Sequence, residues 1–126
     1  MYARAMGSLG KVAVITGGGS GLGAALGQVF AAEGIAVAVL DIDEAAARQT
    51  AAGLAGEFGV PTAPVPVDVG DAGSIVAAVQ RVEADLGGCD VLCANVGVQQ
   101  FGAIDRLTDD DWRFVLDVNV LGTVRT

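Results

Sequence analysis

An α/β protein built on a doubly wound parallel sheet is the fold class that this sequence predicts, on three observations. Short runs rich in Val, Ala and Ile alternate with segments of helical spacing. Glycine or aspartate punctuates nearly every junction between them. The first run, Lys11–Thr16, feeds straight into the glycine-rich turn Thr16-Gly-Gly-Gly-Ser-Gly-Leu-Gly23, and a helical segment follows. Alternation of this kind implies right-handed crossovers and a sheet covered on both faces.

The elements follow in order. The first strand is Val12–Thr16. Behind the glycine turn, Leu22, Ala25, Leu26, Val29 and Phe30 recur at one-face helical spacing, and Gly34 is placed as the helix stop. Ile35–Leu40 is a continuous apolar run ending at Asp41, the second strand. Asp43 is a natural N-cap for a second helix with the stripe Ala47, Ala51, Leu54 and Phe58, closed by Gly59. Val60–Val67 reads as a third strand, and its prolines put it near an edge. Asp71 would cap a third helix with Ile75, Val79, Val82 and Leu86 on one face, stopped by Gly87-Gly88. Asp90–Asn95 is the fourth strand, and Val96–Leu107 is a loop rich in Gly and Gln. Thr108-Asp-Asp-Asp111 reads as a capping box, and the last helix carries Trp112, Val115 and Leu116 on an inward face that Asn119 extends. A Rossmann-type strand order 3-2-1-4 would put a ligand crevice beyond strands one and four, at the topological switch point.

Composition bounds the function. With 126 residues the chain has room for one domain, read as residues 11–126 behind a loose leader at residues 1–10, where Met6 could serve as an alternative start. Apolar residues at 52% and charged residues at 17% support a buried core. A net charge of −8 argues against nucleic acid, whose phosphates need clustered Lys and Arg. The chain has one lysine, Lys11, and no histidine, so no His-based triad or His metal site is available. Cys89 and Cys93 fit no zinc or disulfide framework and are expected to be reduced and buried in a cytoplasmic protein. The start, Met1–Met6, lacks the apolar region of a signal peptide, and no run approaches a membrane span.

The glycine turn carries the chemistry. Five glycines at residues 17–23 let the backbone turn tightly and approach a ligand closely. A helix N-terminus directly behind them offers unpaired N–H groups and a positive dipole end to a phosphate. The run is not G-x-G-x-x-G, since Leu22 and Ala24 interrupt that spacing, nor a phosphate loop of Walker type, since Ala24 and Ala25 follow the last glycine. It matches T-G-x-x-x-G-x-G through Thr16, Gly17, Gly21 and Gly23. A flexible turn without a ligand is the plain alternative.

From about Lys11 to Thr126 the chain resembles the N-terminal half of a short-chain dehydrogenase/reductase. The resemblance implies that Gly17, Ser20, Gly21, Leu22 and Gly23 surround the pyrophosphate of a dinucleotide. Asp41, 18 residues after Gly23, could accept hydrogen bonds from both hydroxyls of an adenosine ribose and repel a 2′-phosphate. With no Arg or Lys in the glycine loop, this favours NAD over NADP; Ile42 is assigned to the same site. A solvated turn aspartate is the alternative. In the family, the pair matching Asp68-Val69 holds the adenine, although Asp68 could equally satisfy backbone near the third helix. Ala94-Asn95-Val96-Gly97 stands where the family shows Asn-Asn-Ala-Gly; Asn95 would brace the sheet and Gly97 lie against the ribose. Asp117-Val-Asn119-Val-Leu-Gly122 resembles the family stretch whose asparagine belongs to a catalytic tetrad, its main-chain carbonyl holding a relay water at a helix kink. A core asparagine satisfied by backbone is the alternative.

The remaining tetrad members, a Ser and a Tyr-x-x-x-Lys pair, have no counterpart here: the one tyrosine is Tyr2 and the one lysine Lys11. A tyrosinate needs a nearby cation to bring its pKa toward neutrality. The expected function is therefore an NAD-dependent alcohol/ketone oxidoreductase and homo-oligomer whose acid/base lies outside these residues. The chain alone is expected to be inactive. The rivals are a non-catalytic dinucleotide-binding module or regulatory subunit, and a structural partner that has lost the cofactor.

Overall fold

Four parallel strands form one sheet in the order β3-β2-β1-β4 in the computed structural model, which describes residues 11–126. The leader expected at residues 1–10 lies outside the described residues. The elements run β1 (Val12–Thr16), α1 (Gly21–Ala32), β2 (Ala36–Asp41), α2 (Glu44–Phe58), β3 (Thr62–Pro66), α3 (Ala72–Leu86), β4 (Val91–Ala94) and α4 (Asp109–Leu116). A π-helical segment, Asp117–Gly122, and a last short turn, α5 (Thr123–Arg125), complete the chain. The predicted α/β doubly wound sheet and its strand order are what the chain adopts.

β1 and β2, at the centre of the sheet, are buried on both faces, and the strands' period-two alternation sorts their side chains. Val12, Val14, Ala38 and Leu40 meet Ile75, Ala78 and Val82 of α3 on one face. Ile15, Val37 and Val39 meet Ala47, Ala51 and Leu54 of α2 on the other. Pairing in register, Thr16 with Leu40 and with Ala94, brings the C-terminal ends of β1, β2 and β4 to one rim. β3 takes an edge, where Pro64 and Pro66 are tolerated because their outer side carries no ladder partner.

The helix stops and starts are local. Asp43 caps α2 by accepting from the Ala46 N–H, and Asp71 caps α3 by accepting from the Gly73 N–H. Thr108 and Asp111 form a reciprocal capping box at α4. Gly59 and Gly87 end α2 and α3 in the left-handed region, with φ of 68° and 88°.

Three helix faces differ from the predicted ones. In α1 the fully buried positions are Gly23, Gly27 and Ala31; of the predicted stripe, Leu26 and Phe30 pack half-buried against the core while Leu22, Ala25 and Val29 face solvent. Glycine and alanine carry so little apolar weight that their part of the buried face leaves no hydrophobic signal in the sequence. Their small size is what lets α1 lie close: a Cβ on Gly27 would come within 3.0 Å of Leu54 Cδ1. In α3 the buried position is Ala78 rather than Val79. In α4 Trp112 and Leu116 are exposed, and the inward residues are Val118 and Gly122 of the π-helical segment, which rotates the face by its wider turn. Cys93 is half-buried, but Cys89 is exposed rather than buried, because it lies in the turn before β4.

Candidate dinucleotide site

The site is built where the strands end. β1 finishes at Thr16, which is buried, and its hydroxyl accepts the Asn95 N–H at 3.0 Å. Asn95 Nδ2 donates in turn to the Thr16 carbonyl at 3.1 Å. These bonds tie the end of β4 to the start of the glycine loop across the switch point.

The glycine loop then folds over the sheet end. Gly17 and Gly21 adopt φ of 66° and 52°, which side chains rarely tolerate. The Gly18 N–H returns to the Leu40 carbonyl at 2.9 Å, and the Gly19 N–H donates to Asp41 Oδ2 at 2.9 Å. A Cβ on Gly23 would stand 2.0 Å from the Gly17 carbonyl oxygen, so α1 starts hard against the loop only because residue 23 is glycine. Ser20 is the N-cap of α1 but makes no side-chain cap. Its hydroxyl and the first N–H groups of the helix are thus left to an outside acceptor, and no acidic residue occupies the first turn to compete.

A cleft of about 530 Å³ opens at this rim. That size lies within the range of small-molecule and cofactor pockets. Gly17, Ser20, Gly21 and Leu22 line one end, Asp41 and Ile42 the adjoining wall, and Asp68, Val69, Asn95 and Gly97 the remainder. Gly23 alone of the sequence-assigned cofactor residues lies beneath the surface. Among the described residues, neither Arg nor Lys lines the cleft.

The two aspartates also serve the backbone. Asp41 accepts from the Asp43 N–H at 3.0 Å as well as from Gly19. Asp68 Oδ1 accepts from the Gly70 N–H at 2.8 Å. The backbone role weighed for Asp68 is therefore present, on a carboxylate that also borders the cleft.

Asn119 sits in the π-helical segment, behind the lining rather than in it. Its Nδ2 donates to the Val98 carbonyl and its Oδ1 accepts the Val98 N–H, both at 2.8 Å. The side chain thus pairs with one residue of the loop after β4 as a neighbouring strand would. Its main-chain carbonyl accepts the Thr123 hydroxyl at 2.8 Å. Val98, Phe114 and Val118 also line the cleft, and sequence reasoning missed them. Hydrophobic residues in a loop or on a helix carry no signal for a ligand; only the return of α4 over the sheet end places them there.

No group of three metal-capable side chains occurs among the described residues. Partial desolvation and then the neighbouring Asp90 hold the Cys89 thiol above its ordinary pKa, the opposite of an activated nucleophile.

A switch-point cleft walled by a glycine elbow and a strand-end carboxylate defines a dinucleotide-binding class of α/β domain. The sequence profile of the short chain dehydrogenase family matches residues 11–126, and the chain belongs to that family. A D-threitol dehydrogenase from Mycolicibacterium smegmatis is 37% identical over 114 residues, covering 90% of this chain and 44% of the relative. The L-sorbose reductase of Gluconobacter frateurii, solved with NADPH and L-sorbose, superposes with a TM-score of 0.89 at 36% identity, covering 95% of this chain and 46% of that one. A short chain dehydrogenase/reductase from Burkholderia phymatum in complex with NAD has a TM-score of 0.87 at 34% identity, with 92% and 41% covered. The chain thus spans less than half the length of these relatives.

Proposed function

We propose that this chain is the dinucleotide-binding part of an oxidoreductase that moves hydride between NAD and a small alcohol or ketone. The carrying observation is the convergence, on one cleft, of the glycine elbow, the free Ser20 hydroxyl and the Asp41 carboxylate. The residues fit the group: Gly17 and Gly21 bring bare backbone to the cleft, and the Ser20 hydroxyl and first helix N–H groups are open to a diphosphate.

The cofactor, when bound, supplies the redox chemistry. The chain's residues bind and orient it. Ser20 and the first turn of α1 would hold the diphosphate, Asp41 beside Ile42 the adenosine ribose, and Asp68 with the Val69 N–H the adenine. Gly97 offers bare backbone to the sugar. Asn119 would support the proton path through its main-chain carbonyl, now paired with Thr123. The general acid/base comes from outside these residues, since they hold no Tyr-x-x-x-Lys.

Relatives divide over the 2′-phosphate, one solved with NADPH and another with NAD. Asp41, with no cation along the cleft among the described residues, favours NAD, because an anion there repels a 2′-phosphate. Relatives named for D-threitol and L-sorbose favour a polyol and its ketone as the substrate pair. The free thiols of Cys89 and Cys93 suit the reducing cytoplasm, and a homo-oligomer is part of the same reading.

Titrating NADH and NADPH against the chain tests the proposal. NADH binds more tightly, and Asp41→Ala weakens it about tenfold while relaxing discrimination against NADPH, as the loss of a charged acceptor requires. No binding of either at millimolar concentration, or unchanged selectivity in Asp41→Ala, refutes the assignment.

A further inference from the structure

Arg125 lies outside the cleft, yet it reaches the turn on which the adenine assignment rests. Its Nη1 donates to the Gly70 carbonyl at 2.9 Å, across 55 residues of chain. The Gly70 N–H donates in turn to Asp68 Oδ1 at 2.8 Å. One residue's main chain is thus gripped by the guanidinium on one side and by the carboxylate on the other. Gly122, three residues before Arg125 and on the same helical face, backs the neighbouring position. It is buried, and a Cβ there would stand 2.9 Å from Val69 Cγ2 and 3.2 Å from the Val69 carbonyl oxygen. The other bonds of the turn stay within it or run to α3: the Asp68 N–H to the Ser74 hydroxyl and the Asp71 N–H to the Asp68 carbonyl. Among the described residues, Arg125 supplies the one hydrogen bond that ties residues 68–71 to an element other than β3 and α3.

We propose that Arg125 is a positioning residue of the adenine subsite: through Gly70 it sets where the Asp68 carboxylate points. This rests on the dinucleotide reading above. Asp68 and Val69 both border the cleft, and Asp68 is held there only by the bond that Gly70 makes to one of its oxygens. Without the guanidinium, the Gly70 peptide is free to turn, and the carboxylate loses its fixed rotamer with it. An exocyclic amine then meets an acceptor that must first be ordered, and ordering costs affinity. The effect falls on the adenine edge alone, because no hydrogen bond joins residues 68–71 to the glycine loop among the described residues.

Titration of the full chain with NADH and with its hypoxanthine analogue, in which a carbonyl replaces the exocyclic amine, tests the assignment. The unsubstituted chain is expected to prefer NADH by about tenfold, as a bond to a charged acceptor requires. Arg125→Met keeps the aliphatic stem, removes the donors and alters an exposed side chain. It should weaken NADH about fivefold and the analogue by less than about twofold. In an Asp68→Ala background the preference is already lost, and Arg125→Met should then change NADH affinity by no more than about twofold. A general loss of stability or of positive charge would weaken both ligands by one factor. An unchanged ratio in Arg125→Met therefore overturns the positioning role alone, as does the full Arg125→Met factor persisting without Asp68. Equal binding of NADH and the analogue by the unsubstituted chain removes the adenine assignment, and this inference with it. Binding of neither removes the cofactor reading as a whole.

Discussion

At the scale of single residues, two positions hold the cleft's shape. Asn119 supplies both hydrogen bonds to the Val98 main chain, so truncation leaves a donor and an acceptor unpaired at a half-buried site. Asn119→Ala is expected to destabilise the chain by about 1–3 kcal/mol in denaturant melts, with faster amide exchange at Val98. A change below about 0.5 kcal/mol, the size expected of an ordinary surface substitution, contradicts that role. Gly23 packs against the Gly17 carbonyl with no room for a methyl group. Gly23→Ala must push α1 and the glycine loop apart, with an expected loss of about 3 kcal/mol and a lower melting temperature. The glycine spacing that marks this site was legible in the sequence. The Asn119–Val98 pairing was not, because it joins residues 21 apart through the path of an irregular loop.

At the scale of elements, α1 separates hydrophobicity from burial. Val29 is exposed on this helix, whereas Gly27 faces Leu54 of α2. Val29→Ser should change stability by no more than about 0.5 kcal/mol. Gly27→Leu should cost about 1–3 kcal/mol by forcing α1 off its neighbours. The reverse order, read by thermal melting, restores the larger residues as the buried face. At α4 the Thr108 hydroxyl and then its N–H bond to Asp111 and hold that carboxyl below the usual aspartate range. A depressed folded-state value means that the contribution is present above the unfolded value of about 3.9 and fades as pH falls through the lowered one. Fraying at the start of α4, followed by amide exchange, should therefore set in only below about pH 4, and Thr108→Val, which keeps the main-chain bond but loses the hydroxyl, should weaken that pH dependence. Helix caps were readable from sequence because a cap is a contact within four residues. Helix faces built from glycine and alanine were not, because their burial is decided by what lies across from them.

At the scale of the molecule, β1 and β2 are covered above and below, but the flank at β4 is open. β4 pairs with β1 only, and its other edge presents unpaired main-chain groups. Leu92 on that strand is exposed, as are Leu116, Val120, Leu121 and Val124 near the chain's end. The 126-residue chain is expected to self-associate, its apparent mass in sedimentation velocity rising with concentration, and Leu92→Lys should reduce the effect. Sharp melting of a monomer, independent of concentration, would contradict this.

Sequence by itself determined the strand–helix alternation and the glycine elbow with its strand-end aspartate. Each of these is a local pattern: backbone permissiveness at Gly17 and Gly21, apolar runs at β1 and β2, caps at Asp43 and Asp71. Tertiary structure alone decided that Arg125 holds Gly70, that Asn119 holds Val98, and that Val98, Phe114 and Val118 reach the cleft. These contacts join residues far apart in the chain, and their geometry follows from how closely α1, α2 and the π-helical turn seat on the sheet. Packing distance sets that closeness, and it is not written in the identity of any one residue.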